Sequence, residues 1–383
     1  MPRWLGRVAL VCAGLIGGLA GGEVLARLFA PAFQIVFRET ITASDDPALG
    51  YALRPGALDG RDRISAEGLR DREYARPKPP GTFRIAAIGD SITYGSGVRR
   101  AGSWSEQLEA LLDERGEAGG VAVEIVNLGV PGYNIEQVVA RLRGSGLAFE
   151  PDAVVYGYAL NDPQAFSIEA AALSTLRAAY DRQASGLARR WLAHSRLYLL
   201  GRHVAFERSK QAVLRSEPPR DPAYEEAGRG DPVAYFRSIH SGGEGAARLA
   251  RGLDALAEVA RARDLPVLVV LFPLFSDGDA DWGAALADVH ALVARGARER
   301  GFAVLDLLPV YEAAVPAAGA GIGVDFMHPN RVGHRIAALA LLDWMCAKRW
   351  LPAAATDCAR PAQNAGDAQL ARLVHRVLAA APD

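Results

Sequence analysis

The chain has 383 residues, half of them hydrophobic, with 43 basic side chains against 44 acidic ones. This length and apolar content allow one large α/β domain with a full core, or two ordinary domains. A formal charge of −1 excludes the basic footprint that nucleic-acid binding requires, and the abundance of Ala, Gly and Arg over Lys and Met points to a GC-rich bacterial genome.

At the N-terminus, Arg3 and Arg7 precede an uncharged run from Val8 to Gly22, with Glu23 and Arg27 beyond it. A basic flank before an apolar stretch is the form of a secretory signal or an uncleaved anchor. Residues 1–30 are therefore expected to direct export, leaving the protein periplasmic or anchored in the inner membrane and facing the periplasm. The run is short against the roughly 17–25 residues of a spanning helix. Gly18-Leu19-Ala20 is a weak cleavage site, so removal and retention both stay open.

Residues 31–82 carry Pro31, Pro47, Pro55, Pro77, Pro79 and Pro80 and are expected as an extended lead-in packed on the domain surface. From Phe83 short apolar runs alternate with helical periodicity, the sign of a parallel sheet with crossover helices over residues 83–350. The strands are expected at Arg84–Gly89, Ala122–Leu128, Ala153–Tyr158, Pro266–Phe272 and Ala303–Leu307. Ser103-Trp104-Ser105-Glu106 is a capping box for a helix with Leu108, Leu111 and Leu112 inward, ended by Gly116. Asn134 with Gln137 starts the next helix. Leu249, Leu253, Leu256 and Val259 mark a third, and Ile336, Leu339 and Leu342 a last one over Arg331–Trp350.

Between residues 167 and 245 the alternation gives way to a helical insertion. Its apolar patch is Leu192, Leu197, Tyr198, Leu199 and Leu200; Arg189, Arg190, Arg202, Arg208, Lys210 and Arg215 add positive charge. A solvated basic face explains this composition most simply, and a lid or membrane-touching element is the sharper alternative. Residues 351–383 form an Ala-rich tail with a short helix expected near Ala368–Ala379. Of the three cysteines, Cys12 lies in the leader. Cys346 and Cys358 are either a disulfide closing the tail or two free thiols. No cysteine pairs with histidines at metal-like spacing, so no metal and no cofactor are expected.

The chemistry concentrates in RIAAIGDSITYGSG, residues 84–97. An apolar strand that stops at Gly89-Asp90-Ser91 delivers a serine hydroxyl to the carboxyl edge of the sheet, where open α/β folds place their ligands. The missing Gly-Lys-Ser/Thr ending excludes a phosphate loop. A serine becomes an effective nucleophile only when a base takes its proton. Asp325-Phe326-Met327-His328 supplies one: Pro329 keeps His328 out of the helix that follows, and Asp325, three residues earlier, is placed to hold its ring. His334 and the remaining histidines (His194, His203, His240, His290 and His375) lack that setting. Donors for a tetrahedral oxyanion lie after the second strand, at Gly132 in Val126–Tyr133, and after the third, at Asn161 in Tyr158–Asp162.

These four blocks, in this order, resemble the SGNH (GDSL-type) hydrolase superfamily over roughly residues 80–350. The resemblance implies a three-layer α/β/α flavodoxin-like fold with a central parallel sheet. It also implies Ser91 as nucleophile, Asp325 and His328 as acid and base, and an oxyanion hole formed by Ser91, Gly132 and Asn161. Leu49-Gly50-Tyr51 and Gly68-Leu69-Arg70-Asp71 are similar to the lead-in of exported bacterial members. Ala159 departs from the Gly-x-Asn-Asp form of the third block, and Asp162 is expected to order the loop without a catalytic role. The implied activity is a serine esterase that hydrolyses or transfers an acyl group, such as acetyl from a carbohydrate or the acyl chain of a short-chain or lipid ester. A polysaccharide O-acetyltransferase and a non-catalytic glycan-binding envelope protein are the alternatives. The expected partners are a small-molecule, carbohydrate or lipid ester and, through a retained leader, the membrane.

Overall fold

Five short apolar runs pair into one parallel sheet, β1 (Thr82–Gly89), β2 (Ala122–Asn127), β3 (Ala153–Tyr158), β4 (Val267–Leu271) and β5 (Ala303–Asp306). Their spatial order is β2-β1-β3-β4-β5, the flavodoxin-like order of a doubly wound sheet. The computed structural model describes residues 3–29, 40–116, 120–165, 167–182, 192, 194–216, 231–275, 282–318, 321–353, 355–359 and 365–380. All five strands lie within a residue or two of their expected positions.

The strands read as unbroken apolar runs because helices cover both faces of the sheet. Ile85, Ala87, Val155, Leu268 and Val270 face a layer built from the helices Trp104–Gly116, Leu308–Ala318 and Arg331–Ala347. The helices Ile135–Gly144, Gly243–Arg263 and Ala287–Arg298 pack together as the opposite layer. Gly89 of β1 pairs with Gly157 of β3, and Ala87 with Asn127 of β2. The carboxyl ends of the three strands that carry the first three sequence blocks are therefore level at one sheet edge.

The caps divide. Asn134 and Gln137 form both halves of their capping box. Ser103 Oγ accepts the Glu106 amide at 3.4 Å, while the Glu106 carboxylate turns to Arg100 at 2.9 Å.

Two compact units are present among the described residues. One, residues 39–167 and 221–383, contains the sheet. Its first part includes the described portion of the lead-in expected over residues 31–82. Residues 40–82 carry two short hairpins, and Tyr51, Ile64, Leu69 and Arg70 are buried. At the other end, the tail helix Ala365–Ala380 sends Val374 into the core, and Cys346 is bonded to Cys358 across 12 residues.

The second unit is residues 1–38 and 168–220. It holds the helices Arg3–Phe29, Ile168–Arg182 and Arg196–Ser216, with a small core of Leu176, Ala179 and Phe206. The N-terminal helix runs past the expected apolar stretch, and Glu23 accepts the Arg196 and Leu197 amides, both at 3.0 Å. Trp4–Phe29 is long and apolar enough to cross a membrane, with mean hydropathy 1.9 and none of its most apolar window buried. The insertion is shorter than expected: helix Pro232–Ser241 belongs with the sheet, where His240 Nε2 meets Tyr158 Oη at 2.7 Å. Arg189 and Arg190 lie outside the described residues.

His334, fully buried in helix Arg331–Ala347, accepts the Trp104 amide on Nδ1 at 3.2 Å. Burial, with the charges of His328 and Arg70, pushes its imidazole down to about 3. Between about 3 and 6.5 the unfolded chain binds a proton that the native ring refuses, so the contribution of His334 to stability falls as pH drops through that window. His334→Asn keeps an acceptor for Trp104 without that proton. Its urea midpoint is expected to fall less steeply than that of the wild type between pH 6.5 and 4; parallel curves would contradict the assignment.

Candidate active site

β1 ends at Gly89, whose φ is 152°. A Cβ there would stand 2.3 Å from Thr93 Oγ1 and 2.6 Å from the Gly157 carbonyl, so the turn admits only glycine. The chain then enters a single helical turn, Ser91–Tyr94, capped by Asp90 Oδ1 on the Ile92 amide at 3.0 Å. Ser91 is the first residue of that turn.

His328 approaches from the loop before helix Arg331–Ala347. That loop is fixed by backbone bonds from Val324 N to His328 O (2.7 Å) and Asn330 N to Ile322 O (2.8 Å), and Asn330 caps the helix. Nδ1 of His328 lies 2.8 and 2.9 Å from the two Asp325 oxygens. An ionised carboxylate only accepts, so Nδ1 carries the proton and Nε2 presents a lone pair. Nε2 stands 2.8 Å from Ser91 Oγ. Burial tends to raise the Asp325 carboxyl, but hydrogen bonds from the His328 ring and the Met327 and His328 amides outweigh it and hold it below the usual carboxylate range. The arrangement is able to take a proton from Ser91 and support the resulting imidazolium.

The remaining sequence-selected residues lie at the neighbouring strand ends. Gly132, at φ 76°, is the third residue of a turn over Val130–Tyr133 closed by Tyr133 N on Val130 O at 3.3 Å; Pro131 before it fits a type II turn. Among the described residues, neither the Ser91 amide nor the Gly132 amide has an acceptor. Asn161 Nδ2 donates to Asp90 Oδ2 at 3.0 Å, which fixes its amide and leaves its second N–H available. Ala159, where the superfamily block has glycine, has no positive φ and its methyl group is buried in the core, so the departure brings no strain. Burial, reinforced by the charge of Asp90, pushes the Asp162 carboxyl well up, and it takes bonds from Tyr156 Oη and the Ala159 amide.

Sequence reasoning passed over two polar groups at this edge. Asp90 links Ser91, Ile92 and Asn161. Asn127, at the end of β2, donates to Thr93 O (2.7 Å) and Ser105 Oγ (2.9 Å) and accepts the Gly129 amide (3.0 Å). The available signal was a polar residue closing the apolar run of β2.

A three-layer α/β/α fold with a serine–histidine–carboxylate chain at its sheet edge defines a hydrolase-like protein. The chain belongs to the GDSL-like lipase/acylhydrolase family, whose profile matches residues 87–336, and it is accordingly an ester-hydrolysing enzyme. No curated protein matches it. Among solved structures it is similar to the acetyl xylan esterase AlAXEase, at 14% identity and TM-score 0.39, covering 67% of this chain and 96% of that one. It is also similar to the lipase/acylhydrolase from Enterococcus faecalis, at 15% identity and TM-score 0.39, covering 70% and 96%. The psychrotrophic esterase EstA from Pseudoalteromonas sp. is similar at 14% identity and TM-score 0.36, covering 70% and 97%.

Asp90→Ala removes the cap of the Ser91 turn, a loss of about 0.5–2 kcal/mol, and releases the Asn161 amide. The urea midpoint of the variant is expected to fall accordingly; an unchanged midpoint would remove Asp90 from this role.

Proposed function

We propose that the chain is an exported serine esterase in which Ser91, His328 and Asp325 carry acyl transfer. The observation that carries this reading is the 2.8 Å approach of His328 Nε2 to Ser91 Oγ, between residues 237 positions apart. As Ser91 Oγ attacks the ester carbonyl carbon, its proton passes to His328 Nε2, and the carbonyl electron pair moves onto oxygen. The Ser91 and Gly132 amides and the Asn161 side chain stabilise that oxyanion. His328 returns the proton to the departing alkoxide, which leaves an acyl-Ser91. Water, deprotonated by the same imidazole, then releases the carboxylic acid; a sugar hydroxyl in place of water would yield the transferase. Asp325, held ionised, supports the imidazolium at each stage.

The substrate class is an acyl ester of a carbohydrate, a short-chain alcohol or a lipid. Two features support export: the apolar helix Trp4–Phe29, and the Cys346–Cys358 bond, which suits an oxidising compartment. Retention of the helix would place the enzyme at the membrane.

On p-nitrophenyl acetate, Ser91→Ala is expected to lose turnover on the order of 10⁶-fold, and Asn161→Ala roughly 10²–10³-fold. A fluorophosphonate should label wild-type Ser91 and leave Ser91→Ala unmodified. Wild-type turnover by Ser91→Ala would overturn the mechanism.

A further inference from the structure

Leu49-Gly50-Tyr51 and Gly68-Leu69-Arg70-Asp71 precede every residue of the proposed mechanism, yet both end against the segments that carry it. Arg70 is 3% exposed. Its Nη1 donates to the carbonyls of Tyr94 and Gly95, both at 3.1 Å, and its Nη2 to that of Val98 at 2.7 Å. Those are the carbonyls at and just beyond the end of the Ser91–Tyr94 turn. The other edge of the guanidinium pairs with Asp59 at 2.8 Å and Asp62 at 3.2 Å. Its Cζ lies 4.8 Å from the Tyr94 ring centre, and Tyr94 Oη donates to the same Asp59. Asp71, next in sequence, accepts the Asn127 amide at 2.8 Å, and Asn127 in turn holds Thr93 O. Tyr51 Oη donates to Pro131 O at 2.8 Å, on the peptide group that also contains the Gly132 amide. Tyr133, which follows Gly132, donates through its hydroxyl to Tyr51 O.

A single helical turn does not stabilise itself, because it forms too few internal bonds to offset the ordering of its backbone. The terminal carbonyls of the Ser91 turn have to be satisfied from outside, and one arginine satisfies three in this segment. Likewise, the Val130–Tyr133 turn that presents the Gly132 amide is tied on both sides to Tyr51, through Pro131 O and through the Tyr133 hydroxyl.

We infer that Arg70 and Tyr51 are positioning residues for the reaction, Arg70 setting the placement of Ser91 and Tyr51 that of the Gly132 amide. This rests on the proposed serine mechanism. Neither side chain takes part in bond making. Each fixes one of two groups that must converge on the same carbonyl, so its loss should act on turnover and leave substrate binding in place. Misplacement of reacting groups by about 1 Å costs on the order of 10²-fold in rate.

The test compares wild type, Arg70→Met, Arg70→Lys and Tyr51→Phe on p-nitrophenyl acetate, each well below its own unfolding midpoint. Arg70→Met is expected to lose on the order of 10² in kcat with KM within about twofold. The rate of Ser91 modification by a fluorophosphonate should fall in proportion, and added guanidinium at millimolar concentration should restore part of it. Arg70→Lys should fall between, since an ammonium lacks the fork that spans three carbonyls. Tyr51→Phe, which keeps the ring, should lose roughly tenfold in kcat, about one hydrogen bond's worth, and decides the matter if Arg70→Met does not fold. Folded variants with wild-type kcat and only lower melting temperatures would overturn the inference, since both residues would then be merely structural. A folded wild type that neither turns over the ester nor takes the probe would instead reject the serine mechanism itself.

Discussion

Everything at the sheet edge depends on the passage from β1 into the Ser91 turn. The strand must stop in a conformation closed to side chains, with Thr93 and Gly157 occupying the space a Cβ would need. The chain then makes one helical turn, too short to persist alone. Its stability is borrowed from groups distant in sequence. Asp90 caps its start, Asn127 holds the carbonyl of Thr93, and Arg70 gathers the carbonyls at its end. The hydroxyl of Ser91 is thus held by the edges of three strands and by the loop before them, instead of by the helix it nominally begins.

The same edge concentrates buried acid groups. Asp90 and Asp162 are both fully buried, and repulsion from Asp90 adds to the desolvation that pushes the Asp162 carboxyl up. The raised Asp162 carboxyl bonds to Tyr156, while Asp90 beside it accepts the Ile92 and Asn161 N–H groups. Asp71 is likewise pushed well up by burial, with Glu106 adding to the effect. Asp325, half exposed and ringed by donors, moves the other way. One residue type is therefore shifted in two directions: up where burial dominates, down where hydrogen-bond donors outweigh it.

What was legible in the sequence follows from what is local. The strands showed as apolar runs because parallel strands are buried on both faces, and the Asn134–Gln137 box lay within a single turn. Ser91, Asn161, Asp325 and His328 stood out because each breaks an apolar pattern at a strand or helix boundary. Arg70 and Tyr51 did not. Proline spacing made their segment resemble an extended lead-in, and nothing nearby reveals that an arginine will be buried against carbonyls 24 to 28 residues later. The limit of the insertion failed for a similar reason: the helix carrying His240 is set by a bond to Tyr158, 82 positions earlier. Glu106 left its capping box because Arg100 offered a charged partner that a propensity rule does not weigh.

The two sides of the site are held unequally. On the serine side Asp90, Asn127 and Arg70 are nearly or fully buried; Asn127 and Arg70 each make several bonds to backbone, and Asp90 bonds to the Ile92 amide and the Asn161 side chain. The base side is lighter. Asp325 is about half exposed, and its loop is tied mainly by the backbone bonds of Val324, Asn330 and Phe275 and by the Asn330 cap. Segments with few buried contacts and exposed backbone bonds are the first to open locally. Local opening should therefore separate His328 from a Ser91 that stays in place beside the proposed oxyanion donors. Such an asymmetry suits a two-step acyl transfer. In the proposed mechanism the covalent bond would be made on the fixed partner, while the proton carrier, serving an alkoxide and then a water, would sit on the more yielding one.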